Sequence, residues 1–144
     1  MTYLLDVNVL IALIDSGHTH HDAAHAWFQT VGYQDWATCP LTENGTARIL
    51  GSSKYERSPG SPAIVMAIVQ QLTEWPGHRF WPDDISLLNA RLIIAENIRA
   101  SQQITDSYLL ALAKAHDGVL ATFDRKISTD AVIGGRSALH IIGN

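Results

Sequence analysis

An α/β fold, a three-layer α/β/α sandwich on a mostly parallel five-stranded sheet, is predicted by two features of the sequence. Five short strand candidates stand at residues 3–7, 35–39, 78–81, 119–123 and 139–142, and the continuous apolar runs among them suit a sheet buried on both faces. Longer stretches with apolar residues at helical spacing alternate with them, and such alternation covers a parallel sheet with helices on both sides. With 144 residues, 47% hydrophobic and 17% charged, the chain reads as one globular domain spanning 1–144.

Element by element, Tyr3-Leu4-Leu5 opens the first strand, and a short helix follows at 9–14. Residues 21–31 set Ala24, Trp27, Phe28 and Val31 on one helical stripe. The second strand closes at Pro40, which lacks the amide a sheet ladder needs. Thr42 is the predicted cap of a helix to about Leu50, because its hydroxyl can take an orphan amide, and Gly51-Ser52-Ser53 ends that helix. After the turn-rich stretch 54–62, Ile64, Ile68, Leu72 and Trp75 define a helix over 63–75. Ser86 opens a predicted helix through Leu87, Ala90, Ile93 and Ile94. Thr105 caps another, through Tyr108, Leu109, Leu112 and Ala113, that stops at Gly118.

A formal net charge of -4 argues against a broad basic face for nucleic acid. Acid concentrated in one site would be neutralised by divalent ions, leaving a field that favours phosphate. The single Cys39 excludes an intrachain disulfide, and no Cys/His ligand spacing is present. The apolar stretch 3–14 is too short for a bilayer and contains Asp6 and Asn8, so no membrane span and a cytoplasmic location are expected.

Four acids fall where apolar elements end or helices begin. Asp6 ends the first strand run, Asp124 ends Val119-Leu120-Ala121-Thr122-Phe123, Glu43 follows Leu41-Thr42, and Asp106 follows Ile104-Thr105. Right-handed crossovers bring such positions to one edge of a parallel sheet, where open α/β folds bind ligands. Carboxylates gathered there repel one another unless a cation lies between them, and hard divalent cations favour all-oxygen sites. The expectation is a metal-dependent enzyme acting on phosphate esters, with Mg²⁺ or Mn²⁺ activating water and offsetting charge on the phosphoryl oxygens. Asn8, two residues after Asp6, can orient it, but it cannot supply the second acid of an Asp-x-Asp phosphatase.

The segments Leu4-Leu5-Asp6-Val7-Asn8-Val9-Leu10, Leu41-Thr42-Glu43-Asn44-Gly45, 105–113 and Ala121-Thr122-Phe123-Asp124-Arg125 resemble the ordered motifs of the PIN domain, most nearly the VapC-type toxins of bacterial toxin-antitoxin pairs. That resemblance covers nearly the whole chain, including His78-Arg79-Phe80-Trp81-Pro82-Asp83-Asp84. It implies a Mg²⁺- or Mn²⁺-dependent endoribonuclease that leaves 5'-phosphate and 3'-hydroxyl ends and is inhibited by a cognate antitoxin. By the same resemblance Asp6, Glu43, Asp106 and Asp124 are the catalytic, metal-binding acids, Asn8 the polar position after the first and Thr122 the hydroxyl before the last. Arg125 and Lys126 stand where some members carry further acid; as cations beside Asp124 they are read as phosphate contacts. A homodimer presenting an apolar groove, built from 47–50 and 64–72, to a partner helix is also expected.

Blander readings attach to other residues. His18, His20, His21 and His25 look like a polar helix start rather than a zinc site, since zinc usually adds Cys ligands or a second spaced pair. Ser107 has no His at a motif spacing. Lys54, Tyr55 and Arg57 offer cations and a ring for a phosphate and a base, or a solvated turn. Two other functions use the same acids or none: a structure-specific DNA nuclease, and a catalytically silent nucleic-acid-binding module.

Overall fold

Strand β1 (Tyr3–Leu5) lies between β2 (Trp36–Thr38) and β4 (Val119–Thr122), with β3 (His78–Phe80) outside β2 and β5 (Leu139–Ile141) outside β4. This computed structural model describes residues 1–143. All four strand pairings are parallel, where the sequence predicts only a mostly parallel sheet. Among the described residues, five α-helices join them: α1 (Val7–Ile14), α2 (His21–Thr30), α3 (Pro40–Leu50), α4 (Pro62–Thr73) and α5 (Gln103–Ala115).

Successive strand residues face opposite sides, and this sorts the core into layers. Leu4, Ala37 and Leu120 pack with Leu109 and Leu112 of α5. Leu5, Trp36 and Ala121 pack with Val9 and Leu13 of α1 and with Ala24 and Phe28 of α2. A smaller cluster, Ile11 with Leu50, Val65 and Val69, attaches α3 and α4 to the outer side of α1.

Three predicted features differ. No helix forms after Ser86: residues 83–102 are turns around one 3₁₀ turn (Ala95–Asn97). There Ser86 Oγ accepts the Leu88 amide at 3.0 Å and Asn89 Oδ1 accepts the Arg91 amide at 3.0 Å. Such local bonds compete with a helix, and Ile93 reaches the core through a bridge to Val132 while Leu88 is 94% exposed. Helix α3 starts at Pro40 with Cys39 as its N-cap; Thr42 is one turn inside, its hydroxyl accepting the Cys39 amide at 3.0 Å. Helix α5 starts at Gln103, so Thr105 lies within its first turn instead of capping it.

Candidate active site

The chain leaves β1 toward β2 but leaves β4 toward β5, so the strand order reverses between β1 and β4. Crevices open at the carboxyl edge of such a switch point. Asp6 follows β1 and Asp124 lies two residues past β4. A short connection turns α5 back against β4, which puts the first turn of α5, with Asp106, at the same edge.

Asp6 is held rigidly. It is the N-cap of α1, with Oδ1 accepting the Val7 amide at 2.8 Å, and Oδ2 accepts the Thr122 hydroxyl at 2.8 Å. That hydroxyl also accepts Asn8 Nδ2 at 3.0 Å and the Asp124 amide at 3.1 Å, which fills its one donor and two acceptor positions. Asn8 Oδ1 accepts the Phe123 amide at 3.2 Å, tying the end of β4 to α1. The sequence-predicted Asn8 and Thr122 thus act on Asp6 through one hydroxyl.

Burial lifts the Asp6 pKa against its two hydrogen bonds, and the Asp124 charge adds to the lift. Asp106 is pushed up to about 6, first by burial and then by Asp6 and Asp124. Those three carboxylates therefore share one field. Asp106, Ser107, Asp124 and Lys126 line a cleft of about 310 Å³. Asp124 Oδ1 accepts the Lys126 amide at 2.8 Å, whereas Arg125 donates to the Gly143 carbonyl at 3.1 Å.

Glu43, in the first turn of α3, has a different setting: its Oε2 accepts the Thr38 hydroxyl at 2.7 Å, and Thr38 Oγ1 lies 2.8 Å from His78 Nε2. Neither Thr38 nor His78 was singled out from sequence as functional. A readable signal existed, since Thr38 ends a strand as Thr122 does.

Among the described residues, no three His, Cys, Asp or Glu side chains form a group that could hold a metal ion by themselves. Mg²⁺ needs less, one or two carboxylates with retained waters. The donor chemistry fits such an ion: two desolvated carboxylates, Asp6 and Asp106, with the charge of Asp124 beside them, gain most from a hard cation.

His21, His25 and the 54–57 loop are tied elsewhere, while His20 stacks on Phe123 with centroids 4.5 Å apart. His21 Nδ1 and His25 Nε2 meet the Ala12 and Leu13 carbonyls, at 2.7 and 2.9 Å, at the end of α1. Tyr55 and Arg57 bind Asp15, the C-cap of that helix, with Arg57 Nε 3.0 Å from both carboxylate oxygens. They stand roughly 13 Å from Asp6 along α1. Ser107 is 1% exposed.

A PIN domain family model matches residues 3–131. Ribonuclease VapC44 of Mycobacterium tuberculosis (strain ATCC 25618 / H37Rv) is 41% identical over 134 residues, 93% of this chain and 94% of the relative. Ribonuclease VapC39 of that strain is 40% identical over 134 residues, 93% of this chain and 96% of its own length. Among solved structures, the fold is similar to M. tuberculosis VapC20, described as a Sarcin-Ricin loop cleaving toxin, with TM-score 0.60 at 15% identity over 91% of this chain and 96% of that one. It is also similar to VapBC2 from Rickettsia felis bound to a promoter DNA fragment, with TM-score 0.56 at 13% identity over 99% and 100% of the two chains. By the family match and these relatives, the chain belongs to the PIN-domain family and to its VapC branch.

Proposed function

We propose that this chain is a Mg²⁺- or Mn²⁺-dependent endoribonuclease, the toxin of a toxin-antitoxin pair, hydrolysing RNA phosphodiester bonds at the β1/β4 edge. One observation carries the reading: Asp6, Asp106 and Asp124 share one edge, and the pKa of Asp106 rises to about 6 first through burial and then through the charges of the other two. Membership among proteins named ribonucleases supports it.

A divalent ion held by Asp6 and Asp106, with Asp124 and Glu43 reaching it directly or through water, would supply a water nucleophile near neutral pH and stabilise charge on the phosphoryl oxygens. Thr122 and Asn8 keep Asp6 from rotating away. The Lys126 side chain in the cleft takes a substrate phosphate, and Arg125 assists once it leaves the Gly143 carbonyl. No side chain serves as a covalent nucleophile, and the products carry 5'-phosphate and 3'-hydroxyl ends. Purified chain freed of antitoxin should cut single-stranded or looped RNA only with Mg²⁺ or Mn²⁺. Cleavage in EDTA, or by Asp6→Ala, would overturn the assignment; equal cleavage of structured DNA would favour the DNA nuclease.

The partner reading rests on α4, where Ile64 is 47% and Met66 61% exposed, and on a mostly apolar cavity of about 510 Å³ in which Leu13, Leu50, Ile68 and Trp75 adjoin the Asp15–Arg57 pair. These surfaces suit a cognate antitoxin helix and a second copy of the chain. Ile68→Asp should weaken antitoxin binding, and light scattering at micromolar concentration should give a dimer. No helix among the described residues is long and apolar enough to cross a membrane; action on cytoplasmic RNA is part of the same reading.

A further inference from the structure

Two carboxylates flanking β1 are held by the same device. On the β4 side, Asn8 Nδ2 donates to Thr122 Oγ1 at 3.0 Å, and that hydroxyl donates to Asp6 at 2.8 Å. On the β2 side, Thr38 Oγ1 donates to Glu43 Oε2 at 2.7 Å. Its only proton is then spent, so His78 Nε2, 2.8 Å away, must be the donor to Thr38. Polarity is the same in both: a nitrogen donor, a threonine hydroxyl, then a carboxylate.

The registers differ by one residue: Thr122 stands abreast of Asp6, whereas Thr38 stands on the strand face of Trp36 and Leu5. Each threonine ends its strand and is fully buried. Leu4 is in register with Ala37, so Thr38 stands abreast of Leu5, one residue before Asp6. Helix α3 presses against the start of α1, where a Cβ on Gly45 would meet Val7 Cγ2 at 2.8 Å. Glu43 is not needed to cap α3, because Thr42 already accepts the Cys39 amide. The His78 ring is braced edge-on by Trp36, centroids 4.7 Å apart. Burial also lowers the His78 pKa, so the donor is neutral and brings no positive charge to compete with a cation.

We infer that His78 and Thr38 are positioning residues for Glu43, forming a hydrogen-bond relay that fixes this carboxylate for the metal as Asn8 and Thr122 fix Asp6. This rests on the metal-dependent reading of the site. Without the relay, Glu43 would be a mobile side chain, and ordering it would oppose cation binding; partners behind metal ligands typically contribute about 10–100-fold in affinity.

Calorimetric titration of metal-free protein with Mn²⁺ tests this without reference to cleavage. His78→Phe and Thr38→Val should each weaken Mn²⁺ binding about tenfold, as should Glu43→Ala, whereas His78→Gln and Thr38→Ser should stay within about twofold of the parent. Cleavage by His78→Phe should need about tenfold more Mg²⁺ for half-saturation while its saturated rate stays within about threefold. Parent-like Mn²⁺ binding by His78→Phe and Thr38→Val, or by Glu43→Ala, overturns the relay. If His78→Phe fails to fold, the Thr38→Val and Thr38→Ser pair decides alone. Failure of the parent to bind Mn²⁺, or unchanged binding by Asp6→Ala, overturns the metal reading instead, and the relay with it.

Discussion

Helix α1 has a buried aspartate at each end, and the two have opposite fates. Asp15, the C-cap, takes Arg57, the Tyr55 hydroxyl and the Gly17 amide, and Arg57 leads in lowering its pKa to about 2. Asp6, the N-cap, takes two neutral donors and no cation, so burial raises its pKa and the charge of Asp124 adds to the rise. A buried carboxylate supplied with a protein cation is a structural fastening, here of the loop between α3 and α4. One set among other carboxylates costs stability and is kept for chemistry. The contrast separates the two without appeal to relatives.

The sharpest way to break that contrast is to remove one carboxylate from the cluster around Asp6 and, separately, Asp15 itself. Asp106→Asn should cost cleavage about 4 kcal/mol of transition-state stabilisation, roughly a thousandfold in rate at fixed Mg²⁺. Asp15→Ala should leave cleavage by the folded protein within about twofold but cost on the order of 2 kcal/mol of stability, since Tyr55 and Arg57 lose their acceptor. If Asp15→Ala kills cleavage in a protein that still melts cooperatively, the division between the two ends is wrong.

Stability against pH should show opposite signs. The Asp15 contribution is fully present above about pH 4 and is lost as pH falls through about 2, because its folded pKa is depressed. Asp106 has its pKa raised to about 6, so its stabilising contribution is present below about pH 4 and is lost as pH rises through 6. In EDTA the parent should therefore melt higher at pH 5 than at pH 7, and Asp106→Asn should show a smaller difference. At pH 7 in EDTA, Asp106→Asn should be about 1 kcal/mol more stable after solvent screening, roughly 3 °C in melting temperature. Millimolar Mg²⁺ should then stabilise the parent more than the variant, since only native-state binding adds stability. Equal Mg²⁺ shifts in the two proteins would remove Asp106 from the ligand set. The smallest effect belongs to the flanking cations: Lys126→Ala should weaken RNA binding with a salt slope reduced by about 1. Arg125→Ala should do less, because that guanidinium is engaged with the Gly143 carbonyl.

Much of the site was legible because acids at element ends are local facts. Asp6 after Leu5 and Asp124 after Phe123 needed only the apolar runs that precede them. Two features deceived. Leu87, Ala90, Ile93 and Ile94 keep a helical period in a segment that is not helical, since Ser86 and Asn89 bond their own backbone and Ile93 pairs with Val132. Tyr55 and Arg57 look like a nucleic-acid loop, yet they serve Asp15, 40 and 42 residues away in sequence.

Sequence by itself determined the element order, the alternation that sorts Leu4 from Leu5 into different layers, and the acids at strand and helix ends, because all of these rest on spacings of a few residues. Tertiary structure decided which groups share a field. Asp6 and Asp106 lie 100 positions apart, and Glu43 depends on a histidine of an edge strand to orient its threonine. Desolvation and charge repulsion depend on everything packed around a group, and that is set only when the crossovers bring β1, β2, β4 and α5 to one edge.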